Sequence, residues 1–174
     1  MLFQSLLETA FERGLIADAA VATSIEQSRA MWRLRETIPL AQAEAGANIK
    51  HDIALPISAI APFVARVDAE LQRAFPGVRV VNFGHFGDGN LHYNVQSPQG
   101  MDNTAFVRDC EAAVNAIVYA AVADFDGSIS AEHGIGELKR DELVRRKSPV
   151  ALAMMRSIKQ ALDPMNLMNP GRVL

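Results

Sequence analysis

The stretch VRVVNFGHFGDGNLHYNVQ, Val78 to Gln96, decides the fold. Val78 to Phe83 is rich in β-branched residues and ends on an aromatic, the composition of a buried strand. Gly84 to Asn90 is a glycine loop, in which Gly84, Gly87 and Gly89 let the backbone fold tightly or approach a ligand closely. Leu91 to Gln96 then alternates, with Leu91, Tyr93 and Val95 on one face and His92 and Asn94 on the other. Two strands joined by so short a loop run antiparallel.

The flanking segments supply helices and one more strand. Ile49 to Leu55 alternates and stops at Pro56, which predicts a strand. Ser58 to Phe75 carries Ile60, Phe63, Val64, Val67 and Leu71 at helical spacing, with Pro62 tolerable only near the first turn. Thr104 to Phe125 is the clearest helix, with a stripe of Phe106, Cys110, Val114, Ile117, Ala121 and Phe125, and Gly127 is expected to cap it. A last helix is expected from Ser148 as N-cap, with Pro149 at the first position, to Leu162. Upstream, Leu6, Leu7, Ala10 and Phe11 fall at helical spacing before a stop at Gly14. A second helical run covers Ser24 to Glu36, and Pro39 lies just beyond it. The class predicted is α+β: an antiparallel sheet with helices packed on one face, followed by a C-terminal helical segment.

Composition excludes several functions. The 174 residues are 49% apolar and 21% charged, enough for a folded core of one domain. A net charge of −3 argues against nucleic acid as a partner. The single cysteine, Cys110, rules out an internal disulfide and suits a reducing, cytoplasmic setting. No apolar run is long enough for a membrane-spanning helix. Met1 to Arg13 carries Glu8 and Glu12 and lacks a basic start, so no secretory leader is expected.

The polar residues that could do chemistry cluster in two loops. His85 and His92 flank the glycine loop, and Glu132 and His133 stand together in Ser130-Ala131-Glu132-His133-Gly134-Ile135-Gly136. Two imidazoles and a carboxylate are a common ligand set for a divalent ion such as zinc. That assignment leaves His133 free as a general base. Histidines serve more often as hydrogen-bonded structural residues, and glycine turns are usually only turns. Spacing alone therefore leaves both readings open. Cys110, on an apolar stripe, and Met154, Met155, Met165 and Met168 are read as packing. Arg35, which ends one helical run, and Lys50, which begins the following strand, could grip an anionic substrate, or simply be solvated surface charges. No dinucleotide fingerprint, P-loop, nucleophile elbow or CxxC pair occurs.

Three segments, GHFGDGNLHYNV (Gly84–Val95), SAEHGIGELKR (Ser130–Arg140) and LDPMNLMNPGRVL (Leu162–Leu174), resemble the C-terminal domain of FAD-linked oxidases. The family contains D-lactate dehydrogenases, the glycolate oxidase flavin subunit and D-2-hydroxyglutarate dehydrogenases, and the resemblance runs from about Ser24 to Leu174. It implies a ferredoxin-like substrate domain in a flavoenzyme that oxidises a D-2-hydroxy acid to the 2-keto acid. By the same resemblance His85, His92 and Glu132 are the ligands of a divalent metal, zinc being the one expected, and His133 is the catalytic base. Arg35, Lys50 and Asn94 are expected to bind substrate, and Asn90 and Asn169 to lie by the cofactor. Pro39 departs from the pattern, since hydroxyglutarate-type members carry a hydroxyl residue there.

The resemblance further implies that FAD is held mainly by a separate domain N-terminal to this region. The chain as it stands, residues 1–174, is then expected to be the substrate and metal domain and inactive alone. A location in the cytoplasm is expected, with peripheral attachment to a membrane through the electron acceptor as the variant. Two competing readings are a non-catalytic module that oligomerises, for example as a homodimer, through uncovered interface, and a metal-dependent hydrolase.

Overall fold

Alternation of Ile49, His51 and Ile53 with Lys50 and Asp52 makes residues 48–54 a strand with one apolar face, and the computed structural model bears this out. It describes residues 2–174, leaving Met1 outside. The chain divides into two compact units, one up to Ala45 and one from Gly46 to Leu174.

In the first unit, helix α1 spans Leu2–Glu12 and ends where Gly14 takes a left-handed conformation (φ 64°). Helix α2 spans Ile25–Glu36, and the Ser24 hydroxyl caps it by accepting the Gln27 N–H at 3.1 Å. A short helix α3, Ile38–Glu44, follows at once. Pro39 lies just beyond α2, as expected, but it opens a further helix that was not foreseen: it sits in the first turn of α3, where its missing N–H has no partner to lose.

The second unit builds the sheet from β1 (Asn48–Ala54), β2 (Arg79–Phe83) and β3 (Asn90–Gln96), in the order β1-β3-β2. Both outer strands run antiparallel to β3, which for β2 follows from the short glycine loop. Helix α4 (Ile60–Ala74) crosses from β1 to β2, with Pro62 in its first turn, and α5 (Asn103–Asp124) follows β3. The register sets Ile49 against Val95, His51 against Tyr93 and Ile53 against Leu91. That face is buried against α4 and α5: the Phe63 ring meets Tyr93 edge-on at 5.8 Å, and Tyr119 meets His51 at 5.4 Å. This is the α+β sheet with helices on one face.

Two details differ from expectation. The buried face of α5 runs through Phe106, Val114, Val118, Ala121 and Val122, while Cys110, Ile117 and Phe125 are only partly buried. The helix is turned by a fraction of its stripe, because it packs on both α4 and the sheet. Gly127 is not the left-handed cap; Asp126 takes that conformation (φ 55°). Gly127 is needed for space, since a Cβ there would lie 2.6 Å from the Ala54 carbonyl oxygen.

Helix α6 (Arg140–Arg146) went unread, and α7 (Pro149–Leu162) has the foreseen start, with Ser148 accepting the Ala151 N–H at 3.2 Å. Of the four C-terminal methionines only Met155 packs on the core; Met154, Met165 and Met168 are exposed. Among the described residues no helix is long and apolar enough to cross a membrane.

Candidate functional site

The face of the sheet away from α4 and α5 is polar. Lys50 stands opposite Asn94 across β1 and β3, and Asp52 stands opposite His92. The expected substrate contacts Lys50 and Asn94 are thus a facing pair, one same-face step from His92. Lys50 is exposed and Asn94 buried.

The glycine loop returns the chain tightly enough to bring His85 back to the sheet end. A Cβ on Gly84 would lie 2.3 Å from the Asn90 carbonyl oxygen, so no other residue fits there without movement. Gly89 is left-handed (φ 73°) and its N–H and C=O close the turn, the latter accepting Leu55 N–H at 2.9 Å. The His85 carbonyl accepts the N–H groups of Asp88 and Asn90 at 3.0 and 3.2 Å.

The second loop is docked to the end of β1. Ala54 and Ser128 exchange two backbone hydrogen bonds of 3.0 and 2.7 Å. Beyond them, the N–H groups of Ala131, Glu132 and His133 all donate to Asp52 Oδ2, at 3.2, 2.9 and 2.8 Å. Glu132 Oε1 then lies 3.1 Å from His85 Nδ1 and accepts the Asn90 side-chain amide at 2.6 Å. The His133 ring stacks on His92 at 5.7 Å between centroids, and Phe83 lies 5.0 Å from His92.

Charge follows from this geometry. Burial alone would raise the Asp52 carboxyl, but the three N–H bonds and the adjacent His133 ring outweigh it and hold the group below its ordinary range. Lys139 reaches into the same corner, its Nζ donating to the carbonyls of Ile129 at 2.9 Å and Asp52 at 3.3 Å. Burial lowers that ammonium, against the pull of Asp52.

The expected ligands are brought together only in part. His85 and Glu132 meet at a separation close to the ~3.3 Å between two ligands on one tetrahedral zinc. His92 instead sides with Asp52 and His133, whose ligand atoms all lie within 4.8 Å of one another, the one such group of three among the described residues. Asn90 is buried with its amide on Glu132, and its Oδ1 has no hydrogen-bond partner. Arg35 lies in the last turn of α2, in the first unit. Asn169 sits in an exposed turn with φ 48°.

The closing segment ties back to the second loop: Val173 N–H donates to Gly136 O at 2.8 Å and Arg140 Nη1 to Gly171 O at 3.2 Å. Asp163 accepts the N–H groups of Leu167 and Met168 and pairs with Lys159.

Sequence reasoning missed Asp52. Its signal was an acid within an apolar strand, in phase with Lys50 and out of phase with Ile49, His51 and Ile53. Two separate donor sets have the chemistry that suits a divalent cation, His85 with Glu132 and His92 with Asp52 and His133, and the buried Asn90 Oδ1 beside Glu132 has no hydrogen-bond partner.

The family described as FAD linked oxidases, C-terminal domain, matches residues 3–173. The chain belongs to this family. A D-2-hydroxyglutarate dehydrogenase of Xanthomonas citri pv. viticola is 43% identical over 166 residues, covering 95% of this chain and 35% of that protein. One of Stutzerimonas stutzeri is 37% identical over the same share of each. A mitochondrial D-2-hydroxyglutarate dehydrogenase of Arabidopsis thaliana is 37% identical over 171 residues, 98% of this chain and 29% of that protein. The chain spans about a third of the length of these relatives.

Proposed function

We propose that this FAD-linked oxidase domain forms the substrate and metal side of a dehydrogenase that oxidises a D-2-hydroxy acid to the 2-keto acid. The observation that carries it is the meeting of the two loops over one sheet face: His85 at 3.1 Å from Glu132, and His133 stacked on His92 above Asp52. In this reading His85, His92 and Glu132 hold a divalent ion, zinc by preference, and FAD is held mainly by a domain outside the chain. When bound, FAD supplies the hydride acceptor and the ion a Lewis acid.

The chain's own residues then orient substrate and move one proton. The Lys50 ammonium and the Asn94 amide, facing each other across two strands, hold a substrate carboxylate; Arg35, in the first unit, is a substrate contact by resemblance alone. The Nδ1 edge of His133 is turned to Asp52 Oδ2 at 3.8 Å, which leaves Nε2 to accept the hydroxyl proton. Asn90 keeps Glu132 aimed, and Asn169, in the closing turn, belongs near the flavin by resemblance alone.

Hydroxyglutarate is the substrate in the relatives' names, whereas Pro39 offers no hydroxyl to a distal carboxylate. Anaerobic mixing of the chain joined to an FAD-loaded FAD-binding domain with D-2-hydroxyglutarate, D-lactate and glycolate tests the reading. A D-2-hydroxy acid bleaches the flavin, and His133→Ala slows that bleaching by roughly 10²–10⁴-fold. Bleaching at an undiminished rate in His133→Ala refutes the assigned base, and none with any D-2-hydroxy acid refutes the function.

One observation favours the non-catalytic reading, in which the chain associates through uncovered surface. Val150, Met154, Ile158 and Leu162 form an exposed apolar stripe along α7. Sedimentation at high concentration decides this, a strict monomer excluding a homodimer.

A further inference from the structure

We propose that Asp52 is the positioning residue of the site, one buried carboxylate that sets the orientations of His92, Glu132 and His133 together. The inference rests on the reading of those three as ligand, ligand and base, and it adds the group that holds them.

Ala131, Glu132 and His133 belong to no helix or strand, and all three are exposed. Their successive N–H groups nevertheless converge on a single oxygen of Asp52, which is only 3% exposed. Three consecutive amides around one anion form a nest, whose curvature is fixed by the charge it encloses. Without that charge the three donors turn to water, and the placement of Glu132 and His133 is lost with them.

The same carboxylate faces both stacked rings. Oδ1 lies 3.8 Å from His92 Nδ1, and Oδ2 lies 3.8 Å from His133 Nδ1. These separations exceed a hydrogen bond, so the hold on the rings is electrostatic. In both rings the Nδ1 edge is thus turned to the carboxylate, leaving the opposite nitrogen for an ion or a proton. Lys139 anchors the corner from behind, bonding the carbonyl of Asp52 itself and that of Ile129 at the root of the loop.

Asp52 also belongs to the group of three whose ligand atoms cluster within 4.8 Å. Direct ligation is the weaker reading, because Oδ2 is already engaged by three donors and Oδ1 is sealed from solvent.

Hydrogen exchange and cobalt(II) titration of the full chain test the proposal. In the unmodified chain without metal, the amides of Ala131, Glu132 and His133 are protected despite their exposure; free exchange at all three overturns the proposal without need of any variant. In Asp52→Asn the three exchange roughly tenfold faster, the loss of about one net hydrogen bond, while core amides such as those of Val95 and Val118 do not change. Cobalt(II) affinity falls by about 10–100-fold with the positions of the d–d bands unmoved. Unchanged affinity and exchange, or shifted bands that mark Asp52 as a ligand, overturn it. Failure of the wild-type chain to bind cobalt(II) defeats the metal reading instead, and the amide readout still decides whether Asp52 shapes the loop.

Discussion

His51 illustrates how one residue can look functional and be structural. It is the one of the chain's four histidines that lies outside the candidate site, fully buried, with Nδ1 at 2.8 Å from Tyr93 O and Nε2 at 2.8 Å from Asn115 Oδ1. Burial, helped by the charge of Lys139 and opposed by the two hydrogen bonds, lowers its pKa from 6.5 to about 4. The unfolded chain therefore binds a proton between those values that the native chain refuses. Stability from His51 is complete above pH 6.5 and is lost as pH falls toward 4, amounting to up to about 3 kcal/mol. Denaturant unfolding at pH 4.5 and 7 measures the slope, which His51→Phe flattens. Gly84 and Gly87 make a second test at this scale. Gly84→Ala forces a Cβ onto the Asn90 carbonyl and costs roughly 1–3 kcal/mol. Gly87 has no atom near its missing Cβ, so Gly87→Ala stays within about 0.5 kcal/mol.

At the scale of elements, the two strands around the glycine loop, β1, α4, α5 and α7 were all legible, because each has a periodic apolar face and a stop at glycine or proline. Helices α3 and α6 were not. Both are seven residues long, too short to show a period, and α6 has only Leu143 buried among charges. Half the site was equally legible: adjacent Glu132 and His133, and two histidines flanking a turn, announce themselves in the chain. Asp52 did not, because its importance lies in backbone amides some eighty residues away, which no local pattern reveals. Capping chemistry, by contrast, is local and reads directly. Ser148→Ala removes the bond to Ala151 N–H and destabilises by about 1 kcal/mol, measurable as a lowered denaturation midpoint.

At the scale of the whole molecule, the fold divides its labour by face. One side of the three-stranded sheet is sealed by α4 and α5 and holds the unit together. The other is left to polar residues whose positions are set by strand register and by two loops pinned at the end of β1. The exposed stripe of α7 lies outside that arrangement. We propose that His85, His92 and Glu132 together hold one divalent ion. Calorimetric titration of the full chain with zinc tests it most directly. One ion per chain in the wild type, with binding weakened at least 100-fold in each of His85→Ala, His92→Ala and Glu132→Ala, is the result expected. Equal zinc binding by the wild type and all three variants would contradict it.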